Sequence, residues 1–243
     1  MTEHQVVNAA EWTRARKALL EKEKEFTRAR DALSQARRDL PWERVEKSYV
    51  FDGPSGPESL ADLFDGRSQL IVYHFMFGPD ATVGCKSCSF WADNFERNVV
   101  HLAHRDVTLV AVSRGPLDKL SAFKKRLGWT FKWVSSGRND FNFDYNVSFD
   151  PSRPGEATYN YAPKTFGGTE LPGISVFYRD DSGAVFHTYS TYTRGLDMMN
   201  AAYHYLDLTP LGRHEEGLPY PMDWVRLRDQ YAPEATKDAC CHG

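Results

Sequence analysis

Most of the chemistry open to this chain of 243 residues rests on four cysteines, which fall into two tight pairs, Cys85/Cys88 and Cys240/Cys241. The first pair lies in Gly84-Cys85-Lys86-Ser87-Cys88, after a long apolar run and ahead of a segment with helical character. A thiol in the opening turn of a helix faces unpaired backbone N–H groups and the positive end of the dipole, and Lys86 adds a positive charge. Such surroundings favour thiolate over thiol and lower the pKa from its ordinary ~8.5. A second thiol three positions on lies one turn away, beneath the first, and can attack a mixed disulfide formed there. Cys85 is therefore the expected nucleophile and Cys88 the expected resolving thiol. A CxxC can also be half of a zinc site, but that needs a second ligand pair at suitable spacing, and the other cysteines are adjacent to one another and 152 residues beyond Cys88. A dithiol is its own redox couple, so neither a metal nor an organic cofactor is expected.

The second pair ends the chain as Cys240-Cys241-His242-Gly243. Three readings stay open for it: a dithiol that carries electrons outward from a redox centre, a soft-metal site, or an exposed pair without a role.

Composition bounds the rest. With 41% apolar and 26% charged residues and a net charge of −3, the chain reads as a soluble globular protein with no reason to bind nucleic acid or acidic lipid. No window approaches the ~18 uninterrupted apolar residues of a membrane helix, and MTEHQVVNAAEW lacks a basic-then-apolar export pattern, so the expected compartment is the cytoplasm.

The elements that must hold the cysteines read as follows. Residues 9–40 form one amphipathic helix, capped by Asn8 with Glu11 three positions on and ended by Pro41. Trp12, Leu19, Phe26, Leu33 and Leu40 recur every seven residues on it. That seam fits an arm packed across its own domain or a homodimer contact. Strands are expected at 49–51, 70–77, 107–112, 174–178 and 184–189, and helices at about 87–103, 117–127, 195–206 and 223–231. Phe141, Phe143, Tyr145, Val147 and Phe149 alternate with polar residues, which predicts a one-faced strand in a β-hairpin insertion over about 138–165. The order is that of an α/β domain with a largely parallel central sheet. The expected organisation is a helical arm at 1–44, an α/β domain at 45–209 and a C-terminal extension at 210–243.

The strand Leu70–Phe77, followed by GCKSC opening a helix, resembles the strand–CxxC–helix unit of the thioredoxin superfamily. Leu171-Pro172-Gly173-Ile174-Ser175-Val176-Phe177 resembles the strand that begins with that superfamily's cis-proline. The resemblance implies a central mixed β-sheet flanked by helices. It also implies a cis-Pro172 against the cysteine pair, with the exposed backbone of Leu171 free to pair with a substrate peptide. The stretch 49–134 is similar to the branch of peroxiredoxins and membrane-anchored thiol reductases. Over almost its whole length the chain resembles a bacterial family, domain of unknown function 899, of predicted dithiol–disulfide oxidoreductases. The match is carried by YHFMFGPD (73–80), GCKSCSFWAD (84–93), LPGISVFYRD (171–180), HTYSTYTRGLD (187–197) and PMDW (221–224).

The expected activity is thiol–disulfide exchange, with a protein or small-molecule disulfide as substrate and a reducing partner. The alternatives are a peroxiredoxin-like peroxidase, a soft-metal protein, or a non-catalytic interaction module. For a peroxidase, Thr82 stands three before Cys85, but Pro79 stands one residue too close to it, and Arg114 and Arg153 are the candidate arginines. His74, in the strand leading to the cysteines, is either a proton relay for Cys88 or a core histidine. Phe90 and Trp91 read as helix packing with one bordering the site, His101 and His104 as a surface pair at a helix end.

Overall fold

Asn8 begins the first element as its spacing predicts: its side chain accepts the Glu11 N–H at 3.0 Å, and the Glu11 carboxylate accepts the Asn8 N–H at 3.4 Å. In the computed structural model, which describes residues 4–152, 157–163 and 167–231, this capping box opens helix α1 (Ala9–Arg38). No residue of α1 is buried, and Trp12, Leu19, Phe26 and Leu33 of its seam are all exposed. The chain divides into two compact units, Met1–Trp42, which holds α1, and Glu43–Gly243.

The second unit is built on a sheet. Its strands are β1 (Glu43–Arg44), β2 (Val50–Gly53), β3 (Gly56–Ser59), β4 (Gln69–His74), β5 (Val107–Ser113), β6 (Lys132–Ser135), and the later pair β9 (Gly173–Arg179) and β10 (Val185–Tyr192). A two-residue hairpin, β7 (Thr158–Tyr159) and β8 (Ala162–Pro163), stands apart from them. The order across the main sheet is β1-β10-β9-β4-β5-β6-β2-β3. β4, β5 and β6 are parallel, β9 pairs antiparallel with β4, and β10 pairs antiparallel with β9. Between β4 and β5 come α2 (Lys86–Ala92) and α3 (Val99–Ala103). α4 (Leu117–Arg126), stopped by Gly128 at φ +64°, connects β5 to β6. α5 (Phe141–Asp144) follows β6, and α6 (Ala201–Leu206) follows β10. This is a thioredoxin-like mixed sheet flanked by helices, with a long N-terminal helix and a small hairpin inserted before β9.

Alternation along β4 sorts the core into two layers. Leu70 and Val72 join Phe51, Val110, Val134 and Phe177 on one face. Tyr73, with Phe75 and Phe77 beyond the strand end, joins Trp91, Phe123 and Trp133 on the other, the face that also receives Cys88. Each fully buried aromatic contributes roughly 1.5–3 kcal/mol by leaving water.

Several expectations are corrected. Residues 141–144 are helical: Phe141 and Tyr145, four apart, stack at 4.6 Å, and Asn146 at φ 54° ends the turn, so period-two alternation coincided with one helical turn. Only 147–149 runs extended, bonded to Thr169 and Leu171. The helix expected at 87–103 is interrupted by turns between α2 and α3, and that at 195–206 begins as a 3-10 segment, Thr193–Met199, with Asn200 capping α6. Residues 223–231 form turns, not a helix, after Met222 at φ 70°. No cis peptide bond occurs among the described residues, so the bond before Pro172 is trans; the Leu171 N–H is bonded to the Val147 carbonyl at 2.8 Å and is not free for a substrate peptide.

Candidate functional site

Cys85 is the N-cap of α2. It stands where a serine or aspartate would ordinarily accept the first free amides, and its Sγ accepts the N–H of Cys88 at 3.5 Å. The approach to it depends on Gly84, where a Cβ would lie 2.6 Å from the Phe123 ring and 3.0 Å from that of Phe75. Its own N–H is tied to the Met76 carbonyl at 3.3 Å, and its carbonyl accepts both the N–H and the hydroxyl of Ser89 at 2.9 Å. The chain therefore returns from the end of β4 and presents a fixed, half-buried sulfur.

Cys88 is buried, and its Sγ accepts the Met76 N–H at 3.5 Å. The two sulfurs are hydrogen-bonded to one another, and neither is in a disulfide. Their acidities separate. Chiefly through the Cys88 thiol, and then through the backbone N–H groups of Cys88 and Ser87 and the Ser87 hydroxyl, the pKa of Cys85 is lowered to about 6 against the opposing effect of burial. Burial first, and then the adjacent Cys85, push Cys88 well above the ordinary thiol range. Lys86, expected to supply charge, instead donates to the Asp223 carbonyl at 3.0 Å and sits over the Tyr220 ring at 5.6 Å, so it anchors the C-terminal segment.

Tyr73 is the residue the sequence did not single out. Its hydroxyl bonds to the Cys88 sulfur and lies 3.4 Å from the Cys88 carbonyl oxygen. Its signal in the sequence is parity: it shares the face of β4 with Phe75 and Phe77, which pack under α2. His74 takes the opposite face, where its ring stacks 6.1 Å from that of Tyr145 and its Nε2 is 2.9 Å from the Ser175 hydroxyl. A hydrogen-bonded chain runs on from there through the buried Ser190 to the half-buried His187 and the exposed Glu43. Burial, followed by the neighbouring His187, lowers His74 to about 3. Of the expected site residues, Cys85 meets Cys88, Cys88 lines a cavity together with Pro172, and His74 lies on the other face of β4.

Pro172 and Cys88 share the wall of a cavity of about 590 Å3. Ser87, Trp91, Tyr73 and Met76 complete the side nearest the cysteines, and the far side comes from the segment 193–222. Trp91 bonds to the Leu196 carbonyl at 2.8 Å. Glu215 accepts from the Tyr203 hydroxyl at 2.7 Å, Trp224 Nε1 at 2.8 Å and the Met222 N–H at 3.0 Å, which closes this segment over α2. Phe90 packs on Trp224 at 5.5 Å.

The peroxidase candidates lie elsewhere. Thr82 is exposed in the loop before Cys85. Arg114 is engaged by Glu170 at 3.3 Å and lies 4.4 Å over the Phe143 ring. Arg153 and Cys240, Cys241 and His242 lie outside the described residues. Among the described residues, no group of three or more His, Cys, Asp and Glu side chains is placed to hold a metal, and no helix is long and apolar enough to cross a membrane.

Residues 1–231 match the model of the family described as bacterial protein of unknown function, DUF899. The chain belongs to this family. No curated protein matches it. Solved structures similar to this member of the family include peroxidoxin BcpB from Mycobacterium tuberculosis, at 13% identity and a TM-score of 0.45, covering 69% of this chain and 97% of that one. A peroxiredoxin Q mutant from Xanthomonas campestris is 14% identical with a TM-score of 0.46, covering 69% and 98%. The mitochondrial 2-Cys peroxiredoxin from Plasmodium falciparum is 16% identical with a TM-score of 0.42, covering 68% and 94%. Likenesses this distant say nothing about activity.

Proposed function

We propose that this protein is a thiol–disulfide oxidoreductase of the cytoplasm, with Cys85 as nucleophile and Cys88 as resolving thiol. The observation that supports it is the asymmetry of the pair: one half-buried sulfur held as thiolate near neutral pH, and beside it a buried sulfur held as thiol. The Cys85 thiolate attacks a substrate disulfide, bonds to one sulfur and expels the other half as a thiolate, which takes up a proton. Cys88 then gives up its proton and attacks Cys85 Sγ. The second half of the substrate leaves as a thiol, and two electrons have passed from the protein to the substrate. A reducing partner, itself a dithiol, restores the pair. Peroxide chemistry would use the same sulfur, but Thr82 and Arg114 are exposed or engaged away from it, which favours the disulfide reading.

Reduction of a protein or small-molecule disulfide by the pre-reduced protein tests this. Cys85→Ser abolishes turnover, and Cys88→Ser accumulates a mixed disulfide on Cys85. If both variants match the parent, the reading is lost. We further propose that the exposed seam of α1 pairs with a second copy of the chain, because its large apolar residues recur at heptad spacing with none of them buried.

A further inference from the structure

From the cavity beside the cysteines we infer a substrate class: small, uncharged organic disulfides with an apolar or aromatic substituent, one half of which is held in the cavity while its sulfur is attacked by Cys85. The inference rests on the oxidoreductase reading and deepens it.

Three observations carry it. The first is where the cavity lies. Cys88 and Ser87 are part of its wall, and Cys85, not itself a lining residue, adjoins that wall through the Cys88 N–H that its Sγ accepts at 3.5 Å, so a group bonded to Cys85 and reaching into the cavity stands next to the resolving thiol. Tyr73, bonded to the Cys88 sulfur, faces the same space and can donate to a departing thiolate. The second is size and lining. About 590 Å3 suits one small organic molecule. Trp91, Pro172, Leu196, Tyr220 and Met222 give it apolar walls. The Leu171 N–H, which an extended peptide would need, already serves the Val147 carbonyl at 2.8 Å. The third is charge. Both lining guanidiniums are engaged: Arg213 by Asp207 at 2.9 and 3.0 Å and by Asp197 at 3.1 Å, and Arg194 by Asp197 at 3.0 Å. With Glu215 the lining holds three carboxylates against two guanidiniums, so a polyanionic disulfide meets excess negative charge and no idle cation within the wall.

The step balances as in the general reaction. R–S–S–R gains two electrons from the Cys85 thiolate and Cys88, which join as a disulfide, and leaves as two R–SH, with one proton from the Cys88 thiol and one from solvent.

The test is single-turnover kinetics of the pre-reduced full chain with dithiodipyridine, oxidised glutathione and insulin. The expected result is saturation with dithiodipyridine, a kcat/KM for it at least roughly tenfold above those for the other two, and competitive inhibition by the unreactive thioether dipyridyl sulfide. Leu196→Trp fills the cavity and raises KM for dithiodipyridine roughly tenfold or more, while kcat changes much less. Met222→Trp, at a second position of the lining, gives the same outcome should the first variant not fold. A preference for glutathione or insulin, or no competition by the thioether, overturns the inference while leaving the oxidoreductase reading intact. Consumption of no disulfide by the parent removes that reading itself.

Discussion

The hydroxyl of Tyr73 meets the sulfur of Cys88 on the wall of the cavity, 3.4 Å from the carbonyl oxygen of the same residue. This contact makes the buried thiol easier to ionise, against burial and against the neighbouring Cys85, both of which make it harder. Tyr73→Phe therefore slows resolution and not the first attack. The expected fall is about tenfold, from a hydrogen bond of about 1 kcal/mol or slightly more. Rapid-quench mass spectrometry of the mixed disulfide reads it directly: an intermediate that decays at the parent rate contradicts the role.

Alkylation of Cys85 by iodoacetamide should titrate with a midpoint near pH 6, well below the ~8.5 of an ordinary thiol. Cys88→Ala removes the largest of the stabilising contacts and moves the midpoint up. The same shift has a stability sign. An acid whose folded pKa is depressed contributes stability above its unfolded pKa and loses it as pH falls through the folded one. The Cys85 contribution to the reduced protein thus shrinks from about pH 9 down to about pH 6. A rate profile centred near the ordinary thiol value would contradict the thiolate.

The cysteine pair was legible because its signals are local: a glycine, a three-residue spacing and the strand and helix on either side. The capping box of α1 was legible for the same reason. His74 and Tyr73 were harder, since alternation says that they take opposite faces and not which face the cysteines occupy. Phe141 to Phe149 misled because residues four apart satisfy a strand and a helical turn alike. The far wall of the cavity was illegible. It is held by contacts such as Trp91 to Leu196 and Lys86 to Asp223, more than a hundred positions apart in sequence, and nothing in PMDW announces a partner.

His74 should bear on stability and not on thiol chemistry. Its folded pKa of about 3 lies below the ordinary histidine value of 6.5, so the neutral ring is favoured in the fold. The stability it contributes is present above pH 6.5 and lost as pH falls towards 3. His74→Phe should flatten the acid limb of a urea-unfolding series across that range and leave the Cys85 alkylation rate unchanged. A slowed alkylation would assign the ring a part in the site.

If a second copy covers the seam of α1, charge placed there should separate the copies. Leu19→Glu with Phe26→Glu in the full chain is expected to lower the mass measured by sedimentation equilibrium from that of a dimer to that of the 27.8 kDa chain, with disulfide turnover retained. A parent that is already monomeric at working concentrations removes the proposal.

Glu215 governs how firmly the cavity is closed. Burial alone would raise its pKa. The three donors Trp224, Tyr203 and Met222, with Arg213 nearby, outweigh it and hold the carboxyl below the ordinary range. Glu215→Ala leaves those donors without their acceptor, and each hydrogen bond to a charged group is worth roughly 1.5–3 kcal/mol. The segment that carries Met222 and Trp224 should then loosen before the sheet does. Limited proteolysis should cut it sooner than in the parent, Trp224 emission should shift to the red, and KM for a small disulfide should rise while the alkylation midpoint of Cys85 stays near 6. Because a carboxyl with a depressed pKa loses its contribution as pH falls through the folded value, the parent should loosen in the same way at pH below the ordinary carboxylate range. Proteolysis unchanged in the variant would mean that the segment is held by Val225 and Leu227, both buried in the core, and not by the carboxylate.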